Sequence, residues 1–158
     1  MARSKKSQYT EKENRTIYIL LNPLSKEFYI GHCKTKLLKD IFKHHYYGKR
    51  YQTKNSFQNL KDKQLHPCLF ILDEIYSTRV EAFNYVICWT KIFIENGYTS
   101  LNQGNVIDYI TDLYENNLLI YNARRAYELN NLCNCNKCIV SNYGRKKCSL
   151  FNGDTNGE

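Results

Sequence analysis

Apolar positions change period several times along this chain, and each change marks an element. Residues 1–14 are polar and charged without periodicity, which predicts a flexible basic tail. A β-branched, apolar run from Thr16 to Leu21 follows, then the turn residues Asn22-Pro23-Leu24-Ser25, then a second short run from Glu27 to Gly31. That order predicts a hairpin. From Lys34 to His45 the period becomes helical, with Leu37, Leu38, Ile41, Phe42 and His45 on one side and Lys36, Lys39, Asp40 and Lys43 on the other. Residues 46–66 are polar and read as a loop. After Pro67 the run Cys68-Leu69-Phe70-Ile71-Leu72 is apolar on both faces, which predicts a third and central strand. Ser77 or Thr78 is placed to cap a helix reaching about Asn96, with Gly97 as its stop. Residues 105–132 hold one or two further helices, with Val106, Ile110 and Leu113 on one face.

The elements run β-β-α-β-α and then helices. This predicts an α/β (α+β) architecture, a small three-stranded, antiparallel-containing sheet flanked by helices. The expected organisation is a basic tail at 1–14, a domain at 15–103, a helical extension at 104–132 and a Cys-rich segment at 133–158. A chain of 158 residues can bury one core, and 42% hydrophobic with 24% charged residues is a globular composition, not a disordered one. No stretch approaches the roughly eighteen apolar residues of a membrane span. Met1-Ala2-Arg3-Ser4-Lys5-Lys6 lacks the apolar core of a secretory signal, so a cytoplasmic location is expected. In that compartment seven cysteines suggest thiols or metal ligands before disulfides.

Charge divides the chain. Residues 1–66 hold fifteen Lys/Arg against five Asp/Glu, residues 67–132 hold four against eight, and residues 133–158 hold four against two. A basic half of this kind attracts polyanions, which points to DNA or RNA as partner. The plainer reading is a solvated surface in a chain rich in Lys, Asn, Ile and Tyr. No Gly-rich phosphate loop is present, so nucleotide hydrolysis has no support.

Thr16-Ile17-Tyr18 on the first strand and Tyr29-Ile30-Gly31 on the second resemble the paired motif of GIY-YIG nucleases, with Thr16 in place of the first glycine. The following basic helix, strand, Trp89-bearing helix and Asn102 continue the resemblance over about residues 15–103. In that family two tyrosines, an arginine, a histidine or similar group, and a glutamate surround one divalent metal. The resemblance therefore implies that Tyr18 and Tyr29 face each other, where a phenol would orient the attacking water. It also directs attention to Asp40 and His44 on the first helix, one turn apart, as the remaining catalytic positions. The departures weigh more. Asp40 stands where the arginine is expected, and a register shifted by one residue gives Lys39 with Lys43. Val86 stands where the metal-binding glutamate is expected, and Glu81 and Glu95 lie on other sides of that helix. Magnesium would be needed only by an active enzyme, and Asp40 is the carboxylate left to hold it.

Near the C-terminus Cys133, Cys135, Cys138 and Cys148 have the spacing C-x-C-x₂-C-x₉-C in a polar segment. Four thiolates match the ligand count of structural zinc, which would supply order where apolar residues are few. Cys33, Cys68 and Cys88 fall in predicted strands and helices and are expected to be buried. The reading that joins these features is a nucleic-acid-binding protein without nuclease activity. Its phosphate contacts would come from Lys34, Lys36, Lys39, Lys43, Lys49 and Arg50. A divergent metal-dependent DNA endonuclease and a protein-interaction module are the alternatives.

Overall fold

The structure is a computed structural model that describes residues 10–102 and 115–125. Strands β1 (Glu13–Leu21) and β2 (Glu27–Lys34) form the hairpin, and a 3₁₀ turn at Thr35–Leu37 leads into α1 (Leu38–Tyr46). Then come α2 (Tyr51–Asp62), β3 (Cys68–Ser77), α3 (Arg79–Glu95), β4 (Thr99–Ser100) and α4 (Glu115–Arg124). The sheet order is β3-β1-β2-β4, with β1 antiparallel to both neighbours and β4 parallel to β2. Mixed α+β architecture with helices flanking a sheet agrees with the sequence reading.

Four details correct that reading. The sheet has four strands, because a two-residue strand after Gly97 joins β2. The central strand is β1, buried from Arg15 through Leu21, and β3 lies at the edge. The Cys68–Phe70 run is apolar because this end of β3 is covered, while Glu74 and Tyr76 further along are exposed. Residues 51–62 form a helix where a loop was expected, since Thr53, Ser56, Phe57 and Leu60 make a buried stripe that is half polar. The first helix begins at Leu38, four residues later than its periodicity suggested, after the 3₁₀ turn.

The hairpin turn is organised by Asn22. Its buried side chain accepts from the backbone N–H groups of Leu24 and Ser25 and donates to Ser56 of α2, so one residue shapes the turn and anchors the next layer. Paired residues on adjacent antiparallel strands share a face. Leu21, Ile19 and Ile17 thus lie beside Phe28, Ile30 and His32 on the face that meets α3, where the Phe28 and Phe93 rings are 5.3 Å apart. Thr16, Tyr18 and Leu20 lie beside Cys33, Gly31 and Tyr29 on the opposite face, toward α1. A bulge in β3 opposite Ile17 and Tyr18 leaves Leu72 unmatched and turns Asp73 to the α3 face. There Asp73 accepts from Trp89 Nε1 at 2.8 Å and forms a two-pronged ion pair with Arg124 at 2.9 and 3.0 Å. One carboxylate thereby ties β3, α3 and α4 together.

Thr78 caps α3 by accepting from the Glu81 N–H, and Gly97, with φ of 89°, ends it, both as the sequence suggested. Asn102 continues the edge beyond β4: its amide donates to Ile30 O at 2.7 Å and accepts from Ile30 N at 3.1 Å, imitating one more strand residue. Cys33, Cys68 and Cys88 are buried. Among the described residues no helix is long and apolar enough to cross a membrane. The four C-terminal cysteines, Cys133, Cys135, Cys138 and Cys148, lie outside the described residues.

Candidate functional site

Tyr18 and Tyr29 project from the same face of the hairpin, with ring centroids 6.3 Å apart. Gly31 makes this possible. It sits directly opposite Tyr18, and a Cβ there would lie 2.6 Å from the Tyr18 hydroxyl oxygen and 3.0 Å from the Tyr29 ring. Any side chain at position 31 would occupy the space that the Tyr18 phenol fills.

The third member is His45. Residues 38, 42 and 45 recur at helical spacing along the buried side of α1, and His45 is 1% exposed. Its ring lies 4.7 Å from that of Tyr29, and its Nε2 is 3.5 Å from the Tyr18 hydroxyl. Nδ1 meets Thr53 Oγ1 at 2.9 Å, and the Thr53 hydroxyl donates to the Arg50 carbonyl at 3.3 Å. Because Thr53 spends its proton on a carbonyl, it accepts from His45 Nδ1–H. That leaves His45 Nε2 to accept the long, weak bond from Tyr18. Donation thus runs from Tyr18 through His45 and Thr53 into the backbone just ahead of α2.

Burial sets the protonation states. It raises the Tyr18 phenol well above its ordinary range, with the neighbouring Tyr29 adding to it, and raises Tyr29 as well; Arg50 opposes both shifts. Burial also lowers His45 to about 3, aided by Arg50 and His44. At neutral pH the cluster is two phenols and a neutral imidazole. Arg50 supplies a fixed positive charge next to them.

Asp40 and His44, the acid and the histidine suggested by the resemblance, are exposed on α1. Asp40 lies in the first turn of that helix, and Lys43 and His44 in its last, positions that favour a negative and a positive charge respectively. Tyr18 and Tyr29 make their polar and ring contacts with each other and with His45, so the tyrosine pair meets the histidine one residue further on. Core-side periodicity was the signal that placed His45 there; nothing in the sequence linked Thr53 to it. Val86 is 2% exposed in the α3 side of the core, and Glu81 and Glu95 are exposed, Glu95 accepting from the Tyr121 hydroxyl. Among the described residues no group of three His, Cys, Asp or Glu side chains is gathered for a metal.

The expected phosphate contacts fall on one run of chain from the end of β2 to the start of α2. Lys36, Lys39, Lys49 and Arg50 are exposed, Lys43 is half-buried, and Lys34 is tied to Glu13 at 3.2 Å. Composition alone did not distinguish the aromatic component. Tyr47 and Tyr51 are 56% and 70% exposed on either side of Gly48, Lys49 and Arg50. Gly48, with φ of 74°, ends α1 in the left-handed conformation and lets the chain turn into α2. Tyr46, also in this segment, carries the Lys61 ammonium over its ring at 4.7 Å. Exposed rings interleaved with cations can stack bases and neutralise phosphates. No family model, curated protein or solved structure matches this chain.

Proposed function

We propose that this protein binds nucleic acid, single strands in preference to duplex, on a GIY-YIG-like domain that does not hydrolyse phosphodiesters. The observation that carries this reading is the Tyr47-Gly48-Lys49-Arg50-Tyr51 segment, in which two largely exposed rings flank two cations. Burying large apolar rings is favourable, so two tyrosines left more than half exposed beside a basic cluster suit an aromatic, anionic partner, although Tyr47 also packs edge-on against Tyr46. Bases stacked on Tyr47 and Tyr51 would place their phosphates beside Lys43, Lys49, Arg50 and Lys54. Duplex bases are already stacked and cannot use the rings.

The absence of hydrolysis rests on chemistry at three positions. Val86 offers no oxygen to a hard cation, Asp40 is exposed on α1, and His45 is buried with both nitrogens engaged. The tyrosine–histidine cluster then acts as a rigid floor that joins the hairpin to α1 and α2. Replacing Tyr47 or Tyr51 with alanine should weaken single-strand binding about tenfold and leave the weaker duplex binding nearly unchanged. Equal loss on both substrates would contradict stacking. Incubation with plasmid and single strands in Mg²⁺ and in Mn²⁺ should give no cleavage. Nicking that disappears in Tyr18→Phe or Asp40→Ala protein would restore the metal-dependent endonuclease.

A further inference from the structure

A cavity of about 440 Å³ opens where the start of β1, the end of β2, α1 and the first turn of α3 converge. Its walls carry Arg15, Lys34, Arg50 and Arg79 against Glu11 and Glu13, an excess of two positive charges, together with His32. Arg15 is the unusual member. It is 5% exposed, its Nη2 is 3.2 Å from a Glu13 carboxylate that also serves Lys34, and among the described residues its Nη1 meets the His32 ring at 3.4 Å. Among the described residues its buried Nε has no partner. Burying a guanidinium with half a carboxylate and an unmatched N–H is unfavourable unless a further anion is present. Arg79 adds a second guanidinium whose charge is felt at both Arg15 and His32, and among the described residues it has no ion pair.

We propose that this cavity is a binding site for a phosphomonoester, the terminal phosphate of a nucleic acid strand or of a mononucleotide. The proposal rests on the nucleic-acid reading above and goes beyond it, since an internal phosphodiester is monoanionic and flanked by chain on both sides. A terminal phosphate carries up to about two negative charges, which matches the excess on the walls. The space suits one phosphate with its sugar, within the usual range of small-ligand pockets, and excludes a duplex. His32 contributes as a neutral donor: its Nδ1 accepts from Arg15, so Nε2 carries the proton. Burial, with Arg15 and Arg79 adding to it, holds His32 down at about 4, so it does not compete with the arginines for charge. Arg50 connects the sites, lining this cavity while lying between Tyr47 and Tyr51 in the chain. A strand stacked on those rings would lead its end toward Arg15 and Arg79.

The test compares short, internally labelled single strands ending in 5′-phosphate, in 3′-phosphate or in hydroxyls, alongside calorimetric titration with inorganic phosphate and with a nucleoside monophosphate. One phosphorylated end should bind about tenfold or more tighter than the hydroxyl form. Arg79→Ala, at an exposed position on the first turn of α3, should abolish that difference and leave hydroxyl-ended binding intact. Arg15→Ala is avoided as the sole probe because the buried site can collapse. Saturable nucleoside monophosphate binding that Arg79→Ala removes, without preference between strand ends, would identify the free nucleotide as the source. If no strand binds at all, the single-strand reading fails, and the two titrations decide the cavity separately. Indifference to end chemistry with no titratable binding overturns the proposal, as does phosphate binding that Arg79→Ala leaves unchanged.

Discussion

The most constrained position in the site carries no side chain. Gly31 has a negative φ that any residue adopts, so its requirement is purely one of space, imposed by the Tyr18 hydroxyl across the strand pair. Gly31→Ala should destabilise the protein by about 1–3 kcal/mol, read from denaturant unfolding. The same change in a Tyr18→Phe background should cost less, because the nearest clashing atom is gone, and strict additivity would contradict the packing account. His45 gives a second test. Its folded value is depressed to about 3 against an ordinary 6.5, so the unfolded chain takes up the proton first as pH falls. Stability from this group is full above about pH 6.5 and is lost toward pH 3, about 2 kcal/mol of it between pH 7 and 5. His45→Gln should flatten that acid slope whatever it does to stability at pH 7; an unchanged slope would mean that His45 is protonated in the fold. The tyrosine pair was legible only through the resemblance of Thr16-Ile17-Tyr18 and Tyr29-Ile30-Gly31 to a paired motif; the strand register then places both rings on one face. The histidine partner was displaced by one residue, since the family pattern pointed to His44 while the buried period of α1 pointed to His45. Only the second is a packing constraint.

Among the elements, those with continuous apolar signal were legible and those stabilised by polar contacts were not. The hairpin, β3 and α3 announced themselves through apolar runs and a capping threonine. α2 did not, because Thr53 and Ser56 take two of its four buried positions and act through hydrogen bonds to His45 and Asn22. β4 is two residues long, too short for any period, and Asn102 completes its pairing with a side chain. The bulge in β3 could not be read either, although it decides which way Asp73 points. Asp73→Ala should leave the Trp89 N–H and Arg124 without their acceptor and lower stability by about 2–3 kcal/mol. Proteolysis within α4 should accelerate in the same variant, because Arg124 links that helix to the sheet through Asp73. Intact resistance to protease with lowered global stability would show that α4 is held by α3 alone.

At the scale of the whole molecule, the uneven charge of the sequence carries over to the elements it builds. Residues 1–66, the basic part of the chain, include β1, β2, α1 and α2. Lys39, Lys43, Lys54 and Lys61 lie on α1 and α2, while Arg15 lies on the face opposite the tyrosines. Acidic residues outnumber basic ones in 67–132, which includes β3, α3 and α4. Nothing in the sequence indicated which cations would be paired, and in the fold Glu13 holds both Arg15 and Lys34. The central claim is an electrostatic and stacking surface on α1 and α2, and its most direct test is the salt dependence of single-strand affinity. With four to six phosphates neutralised, log affinity against log salt should fall with a slope of about −3 to −4 for single strands. Lys43→Glu with Lys49→Glu should make that slope shallower by about one to two and weaken all sequences alike. A slope near zero, or one that the two reversals leave unchanged, would contradict the account and favour a protein partner for this face.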